Sequence, residues 1–321
     1  MNNRFKVIVV GCGNWGLNHI KFLKKINCLY GVADLDEKLS QKISNIYKCN
    51  SFSLKEVFLK KRSDALFICS SAASHFFLLK KAMPIYKNIF CEKPVTLNLQ
   101  HFREIIKLKN KYKNRFAVGH LLHYHPAIPL IEGIINKKRL GKIVSILCVR
   151  KSFGKFRKEE DIIQSLIPHD LSIIFRFFKK KIIKIGSHAS SVLNKNIFDT
   201  ANCFLEFQDK SFAYINVSWF SPQKKRIIQI DTNKAIITFD DTLELQKKVH
   251  IQYIKKVKKN NFFIFLKEKN FYLPIKTNTP ALSIEILEAI NYFKGKRKKI
   301  FNNLEESEKI VDTISKLRKT L

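Results

Sequence analysis

The chain has 321 residues, of which 45% are hydrophobic, and this length suits two domains better than one small core. No apolar run reaches the length of about 18 residues that a membrane span requires, and residues 1–6 lead directly into an apolar strand, so we expect no membrane partner, no secretory signal and a cytoplasmic location. The seven cysteines form no Cys-x-x-Cys pair, which favours reduced thiols over disulfides or a zinc site.

The formal net charge of +34 is the most unusual feature of the composition. Only 11 of the 60 basic residues are arginine, and the lysines are spread along the chain among core-type residues. A nucleic-acid surface relies on arginine and exposed aromatic side chains as well as on charge. We therefore favour compositional drift and expect no nucleic-acid partner; a nucleic-acid-binding module is an alternative that rests on charge alone.

Short apolar runs alternate with helical periodicity up to residue 122. The predicted strands are residues 5–10, 28–33, 64–69, 88–91 and 115–119. The predicted helices between and after them are residues 17–26, 39–47, 54–59, 75–83 and 99–111. Strands that alternate with helices form a doubly wound parallel sheet, so we predict an α/β fold with a Rossmann domain over residues 1–122.

Strand-like runs dominate the second half of the chain. They cover residues 142–150, 182–192, 201–207, 211–219, 226–231, 235–239, 250–257, 262–266 and 271–273. Helices are predicted over residues 127–136, 161–178, 281–293 and 304–317. Short turns between several strands are typical of hairpins, so we predict a second, α+β domain over residues 123–321 with a large, mostly antiparallel sheet.

The turn Gly11-Cys12-Gly13-Asn14-Trp15-Gly16 follows the first strand and opens the first helix. In this pattern the first glycine permits a tight turn, the second lets the backbone approach a pyrophosphate, and the third lets the helix pack on the strand. Asp34 ends the second strand, where its carboxylate would bind the adenosine ribose and repel a 2′-phosphate. We therefore predict a dinucleotide cofactor, NAD rather than NADP. Ser70, Ser71 and His75 would border it, because they follow a strand at the carboxyl edge of the sheet.

Several motifs together resemble the Gfo/Idh/MocA family of oxidoreductases. They are Cys91-Glu92-Lys93-Pro94, the glycine turn with Asn18-His19, Val118-Gly119-His120, Tyr124-His125-Pro126-Ala127, Pro168-His169-Asp170-Leu171-Ser172, Val217-Ser218-Trp219 and Phe239-Asp240-Asp241. The resemblance implies that the second domain binds substrate and carries an open sheet that forms contacts in a homo-oligomer, a dimer or tetramer.

The resemblance also implies an NAD(P)-dependent dehydrogenase that oxidises a ring hydroxyl, or catalyses the reverse reduction. The chain is most similar to members that act at C3 of a UDP-N-acetylhexosamine or its uronate, in lipopolysaccharide and other surface polysaccharide biosynthesis. Two alternatives are a dehydrogenase of a free polyol or sugar such as inositol and a non-catalytic NAD(H)-binding protein.

Lys93 and His169 are the catalytic residues that the resemblance implies. Lys93 would accept the hydroxyl proton, since desolvation lowers the pKa of an ammonium group, and it would contact both cofactor and substrate. Glu92 would orient Lys93 or the nicotinamide ribose. His169 would exchange a proton with the reacting oxygen. Many relatives carry an aspartate where this chain has Ser165, which disfavours an Asp–His pair and leaves more of the proton transfer to Lys93.

The remaining candidates concern the substrate. His120, His123 and Tyr124 are predicted to line the sugar site with Ser165. Three histidines, at positions 120, 123 and 125, also suit zinc, but no cysteine or carboxylate pattern supports them, and we predict no metal. The basic residues Lys155, Arg157 and Lys158 precede the helix of His169, where they would either bind a substrate diphosphate or form a solvated run of charge.

Overall fold

The computed structural model describes residues 4–137, 140–154, 160–193, 195, 197–259 and 262–321. The chain forms two compact units, one of residues 1–121 with 280–312 and one of residues 122–279 with 313–321. The sequence-based division placed residues 280–312 in the second domain, whereas they pack with the first unit. None of the described helices has the length and apolar content to cross a bilayer.

The first unit contains a six-stranded parallel sheet, which confirms the predicted Rossmann architecture. Its strands are β1 (Val7–Val10), β2 (Leu29–Ala33), β3 (Asn50–Ser51), β4 (Ala65–Ile68), β5 (Asn88–Glu92) and β6 (Arg115–Gly119). They are ordered β3-β2-β1-β4-β5-β6, and each neighbouring pair is parallel. The direction of strand order reverses beside β1, and ligands of such sheets bind at the carboxyl ends of the strands near this point.

Helices flank this sheet and cover its apolar faces. They are α1 (Asn14–Lys25), α2 (Glu37–Tyr47), α3 (Leu54–Leu59), α4 (Ala72–Ala82) and α5 (Leu99–Tyr112). Alternate residues of β1 enter two different core clusters, Ile8 and Val10 one of them and Val7 and Val9 the other. This alternation follows from the two-residue period of a strand buried on both faces.

The second unit is built on an eight-stranded, mostly antiparallel sheet, as predicted. Helix α6 (Ala127–Asn136) comes first. The strands are β7 (Ile143–Lys151), β8 (Ile182–Ser190), β9 (Thr200–Phe207), β10 (Phe212–Ser218), β11 (Lys225–Thr232), β12 (Ala235–Asp240), β13 (Val249–Lys259) and β14 (Phe262–Tyr272). Their order is β14-β13-β12-β11-β7-β10-β9-β8, with the one parallel pair among these described strands between β7 and β10.

Helix α7 (Ile162–Phe177) contacts β7, β9 and β10 and carries the Pro-His-Asp motif. Two helices, α8 (Ala281–Phe293) and α9 (Leu304–Arg318), complete the elements, and α8 and the first part of α9 belong to the first unit.

One part of the strand prediction was wrong. Residues 262–266 and 271–273 were predicted as two strands, but residues 262–272 form the single strand β14, and Leu273 follows its end. The polar residues 267–270 interrupt the apolar pattern without ending the strand, because Lys267 and Asn270 pair with Ile254 and Gln252 of β13 on the two sides of a register shift.

Candidate active site

The glycine turn has the tight geometry that its pattern predicts. Gly11 has a φ of +103°, in the region that favours glycine, and a Cβ atom there would lie 2.6 Å from the backbone nitrogen of Ser70. A Cβ atom on Gly16 would lie 1.9 Å from the carbonyl oxygen of Gly11. Both positions therefore require glycine for reasons internal to the protein.

Gly13 differs from these two glycines, because a Cβ atom there would meet no described atom within 4 Å. It precedes α1, whose N-terminus receives no side-chain cap, and Asn14 and Trp15 are exposed in the first turn. Amide groups at a helix N-terminus bind phosphate oxygens, and a missing Cβ lets the ligand approach the backbone. The turn thus fits the pyrophosphate of a dinucleotide.

The Asp34 carboxylate lies beside this turn. It accepts hydrogen bonds from the backbone N–H groups of Cys12, at 2.6 Å, and Asp36, at 3.0 Å. These bonds fix the carboxylate at the carboxyl end of β2, where the prediction places the adenosine ribose. Burial and the neighbouring Asp34 charge raise the pKa of the Cys12 thiol to about 12, so this cysteine stays neutral.

The Glu92 carboxylate, at the end of β5, connects the glycine-turn helix to Lys93. Its Oε1 atom lies 2.8 Å from Nε2 of the buried His19 on α1, and its Oε2 accepts the Lys93 backbone N–H at 3.2 Å. Burial raises the pKa of Glu92, but hydrogen bonds from His19 and the Trp15 indole, with the Lys93 charge, outweigh burial and hold it below its usual value. Glu92 is therefore an ionised group that fixes the backbone of Lys93, which itself is partly buried.

Space for this carboxylate exists because the neighbouring strand β6 has glycine at position 119. Glu92 and Gly119 are register partners, and a Cβ atom on Gly119 would lie 2.5 Å from Glu92 Oε2. Any other residue type at position 119 would displace the carboxylate from its donors.

A second carboxyl group, Glu285 of α8, is fully buried in the same unit. Asn302 lies 3.5 Å from Glu285 Oε1 and also donates to the Val118 carbonyl oxygen. Burial and then the negative charge of Glu92 raise the pKa of Glu285 well above its usual value, which favours the neutral form of this carboxyl group. Residues close to the end of the chain thus complete the surroundings of the Glu92–Lys93 segment.

The predicted cofactor residues after β4 are held by a buried histidine. The two ring nitrogens of His75 lie 2.7 Å from the Pro94 carbonyl oxygen and 3.1 Å from that of Ser70, and the hydroxyls of Ser70 and Ser74 are 2.7 Å apart. His75 therefore joins the segments that follow β4 and β5, while Ser71 is exposed. Direct cofactor contact by these residues stays a prediction.

His120, predicted as a substrate residue, is buried next to α9. Its Nε2 lies 2.8 Å from the Ser307 hydroxyl. Burial lowers the pKa of His120 to about 4; the charge of Glu92 opposes this change and that of Lys93 adds to it. The imidazole is therefore neutral at pH 7.

The other substrate candidates belong to the second unit. His169 is partly buried on α7, and Ser165, one turn before it, is buried. The next residue, Asp170, forms a buried ion pair with Arg150 of β7, with Oδ1 2.9 Å from Nη2. This pair ties the helix of His169 to the sheet.

His123 and Tyr124 are buried in a short 3-10 turn, Leu121–Tyr124. Arg176 donates to the His123 carbonyl oxygen at 3.0 Å and forms an ion pair with Glu132 at 2.6 Å. The arginine of α7 thus fixes the turn. Substrate contact by His123 and Tyr124 stays a prediction.

The third histidine of the metal alternative, His125, has a different partner from the other two. Its Nε2 lies 3.3 Å from Asp241 Oδ1, and Lys248 also binds that oxygen at 2.6 Å. Burial raises the pKa of Asp241, but the bonds from His125 and Lys248 outweigh burial and lower it. In the described part of the chain no three potential metal ligands lie together. Lys155, Arg157 and Lys158 lie outside the described residues.

Sequence reasoning missed His19, Glu285, Asn302, Arg150 and Arg176 as supports of the site. His19 belongs to the Asn18-His19 motif named above, and its position on the apolar face of the first helix could have predicted its burial. The burial of Glu285 has a similar signal, since the residue interrupts an otherwise apolar helical stripe.

Comparison with known proteins places these features in a family. Residues 5–120 match the Gfo/Idh/MocA model, an oxidoreductase family with an NAD-binding Rossmann fold. The match covers the Rossmann part of the chain, and over these residues the predicted family resemblance is confirmed. Relatives of the chain are named dehydrogenases, so it is an oxidoreductase, and the solved structures confirm the predicted fold class.

Among curated relatives, inositol 2-dehydrogenase of Rhizobium meliloti is 20% identical over 74% of this chain and 71% of its own. UDP-N-acetylglucosamine 3-dehydrogenase of Acidithiobacillus ferrooxidans is 26% identical over 51% of each chain. A solved structure of the latter enzyme has a TM-score of 0.84 at 19% identity and covers 99% of this chain and 98% of its own. A structure of GenD2, from gentamicin A biosynthesis, in complex with NAD has a TM-score of 0.83 at 17% identity over 100% and 95% of the two chains. At these identities the structural likeness shows a shared fold.

Proposed function

We propose that this oxidoreductase is an NAD-dependent dehydrogenase of a ring hydroxyl in a sugar or sugar nucleotide, at C3 of a UDP-N-acetylhexosamine or its uronate. One observation carries the proposal: the ionised Glu92 carboxylate is hydrogen-bonded both to His19 of the helix that follows the glycine turn and to the backbone N–H of Lys93. A cofactor-binding element and a candidate proton acceptor are thereby fixed relative to each other within the first unit. The reaction would serve surface polysaccharide biosynthesis.

The residues of the first unit suit a nicotinamide dinucleotide. Gly11, Gly13 and Gly16 shape the turn for a pyrophosphate, and Asp34 offers a carboxylate to ribose hydroxyls. A 2′-phosphate would meet the negative charge of Asp34, which favours NAD over NADP. The chemistry that a bound nicotinamide supplies is acceptance or return of a hydride at its ring.

Lys93 is proposed to take the proton of the substrate hydroxyl. Its backbone is fixed by Glu92, while its partly buried side chain would hold the proton at Nζ. His169 is proposed to exchange a proton with the same oxygen, from a helix anchored through the pair Asp170–Arg150. Because position 165 is serine, no carboxylate at that position assists His169.

The substrate class is supported by the UDP-N-acetylglucosamine 3-dehydrogenase that resembles this chain over nearly its full length. A second candidate substrate is a free polyol, since a relative named inositol 2-dehydrogenase aligns over 74% of this chain. His120, His123 and Tyr124 are all buried, so among the predicted residues we assign substrate contact first to Lys93 and His169, which are partly buried.

The cofactor proposal is tested by calorimetric titration of NAD and NADP into the wild type and Asp34→Ala. Loss of the carboxylate removes ribose hydrogen bonds and the repulsion of a 2′-phosphate, so NAD affinity should fall by about tenfold while the preference for NAD disappears. Asp64→Ala, which removes a carboxylate at the opposite, amino-terminal end of β4, is the control. An unchanged NAD-to-NADP ratio in Asp34→Ala would refute the assignment.

The reaction is tested by NADH absorbance with UDP-N-acetylglucosamine, its uronate and inositol as separate substrates. Lys93→Met should reduce kcat by a factor of about 10³ while NAD still binds, because general base catalysis contributes roughly that factor. Lys87→Met, an exposed lysine just before β5, should keep full turnover. Turnover of inositol alone would select the polyol alternative, and NAD binding without turnover of any sugar would indicate a non-catalytic protein.

A further inference from the structure

The hairpin formed by β13 and β14 extends past the rest of the sheet of the second unit. Strand β12 pairs with β13 from Val249 to Tyr253, while β13 and β14 continue as a two-stranded ribbon. We call residues 254–259 and 262–267 of this ribbon the basic aromatic arm. Beyond Tyr253, no other described strand pairs with the outer edge of β13.

The β14 side of the arm exposes five consecutive apolar residues. They are Phe262, Phe263, Ile264, Phe265 and Leu266, with exposed fractions from 36% to 66%. Successive side chains of a strand point to opposite faces, so both faces of the arm are apolar. A solvent-exposed strand normally has one polar face, and a patch of this kind marks an interaction site.

The β13 side of the arm carries the charge. Lys255, Lys256, Lys258 and Lys259 are register partners of Leu266, Phe265, Phe263 and Phe262, respectively. The ammonium group of Lys256 lies 3.9 Å from the ring of Phe263. Residues 254–272 contain six lysines and one glutamate, a net charge of +5. Four of the five exposed apolar residues of β14 therefore have a lysine as register partner, and Ile264 pairs with Val257.

We propose that the basic aromatic arm inserts into the headgroup region of an anionic lipid bilayer and holds the enzyme at a membrane surface. A bilayer interface surrounds an inserted ribbon, so it removes both apolar faces from water, and anionic headgroups neutralise the lysines. The proposal is independent of the enzyme's substrate and departs from the expectation that the chain has no membrane partner.

A second copy of the chain matches the arm less well. Pairing of two β14 edges would satisfy backbone groups but leave the side chains of both faces in water, because they point away from the sheet plane. Stacking two arms face to face would cover one face and bring two charges of +5 together. Aliphatic residues such as Ile264 and Leu266 likewise suit lipid better than the stacked bases of a nucleic acid.

The test is sedimentation of the full-length chain with vesicles of phosphatidylcholine containing about 30 mol % phosphatidylglycerol, and with pure phosphatidylcholine. The wild type should bind the anionic vesicles. Phe263→Ser combined with Phe265→Ser should lower the partition coefficient by about 100-fold, roughly tenfold for each ring withdrawn from the interface. The matched control is Ile46→Ser with Leu59→Ser, which removes two exposed apolar residues from helices of the first unit and keeps the charge.

Equal binding by the arm variant and its control would overturn the proposal, because the diffuse charge of +34 would then explain the attraction. The proposal would also be overturned if the wild type did not bind the anionic vesicles, or if the arm substitutions changed the molar mass of the protein in solution and not its affinity for vesicles. A loss of affinity for a single-stranded oligonucleotide larger than the loss for vesicles would overturn it as well. Phe265→Trp provides a second measurement that does not depend on weakened binding. Its emission should shift to shorter wavelength with anionic vesicles and stay unchanged with neutral ones, and the absence of a shift with anionic vesicles would contradict insertion.

Discussion

An alanine at position 119 should disable the site through the Glu92 carboxylate and leave the rest of the fold in place. The added Cβ atom would lie 2.5 Å from Glu92 Oε2 and 2.8 Å from Oε1. Since carbon and oxygen atoms in contact are about 3.5 Å apart, the carboxylate must move by about 1 Å. The Glu92 side chain is buried, so its displaced carboxylate cannot move into solvent.

A movement of this size would lengthen the bond to His19, now 2.8 Å, and the bond from the Lys93 backbone, now 3.2 Å, beyond hydrogen-bonding range. Overpacking costs about 1–3 kcal/mol, and a hydrogen bond to a charged group contributes about 1.5–3 kcal/mol. We therefore expect Gly119→Ala to lower the free energy of unfolding by about 3 kcal/mol. Because misplacement by about 1 Å can reduce turnover by about 100-fold, kcat should fall by a similar factor.

The assay is urea unfolding of a double-mutant cycle with Glu92→Ala. Removing the carboxylate leaves room for the new methyl group, so Gly119→Ala should cost less than about 0.5 kcal/mol in that background. Gly133→Ala is the matched control, since its Cβ meets no described atom within 4 Å on helix α6, and it should stabilise the chain by about 0.5–1 kcal/mol. Equal destabilisation by Gly119→Ala with and without Glu92 would refute the reasoning.

Three further predictions concern buried ionisable groups. Glu285→Gln should raise the free energy of unfolding more at about pH 8 than at about pH 5, because the folded chain keeps Glu285 protonated at a pH where the unfolded chain releases the proton. Equal increases at the two pH values in urea unfolding would contradict this. Between about pH 6.5 and about pH 4 the unfolded chain protonates His120, whereas the buried imidazole, with a pKa of about 4, stays neutral, so the free energy of unfolding should fall by up to about 3 kcal/mol. His120→Gln should remove this loss, and an unchanged pH dependence of urea unfolding would exclude His120 as its source. Asp170→Asn should cost about 3 kcal/mol in thermal unfolding, since it leaves the Arg150 guanidinium without its buried carboxylate, and a loss below about 1 kcal/mol would show that solvent replaces the pair.

The parts of the structure that follow from local pattern were predictable. Alternating strands and helices indicate the first sheet, and the glycine turn has the geometry that its spacing requires. Strand β14 was divided wrongly because residues 267–270 are polar, although Lys267 and Asn270 still pair with β13. Periodicity reports burial of side chains and contains no information about such pairing.

The placement of residues 280–312 in the first unit illustrates a second limit of prediction from sequence. Helix α8 is apolar on one face, which predicts that it is covered but does not identify the covering surface. In the structure Ile286, Ala289, Ile290 and Phe293 enter a core cluster that also contains Val7 and Val9 of β1. Contacts between segments this distant in sequence depend on the tertiary fold, and a single sequence does not encode them in any local signal.

The charge state of the site shows why its chemistry needed the structure. Glu92 and Glu285 are both buried, and two neighbouring carboxylates in a dry environment do not both ionise. Glu92 has donors in His19, Trp15 and the Lys93 backbone, whereas Glu285 Oε2 has no hydrogen-bond partner among the described residues. The negative charge therefore belongs to Glu92, next to the residue proposed to accept a proton. An adjacent carboxylate stabilises an ammonium group, so if Lys93 accepts the proton as proposed, desolvation by bound substrate and cofactor would have to lower its pKa, and proton transfer would then depend on exclusion of water from Lys93.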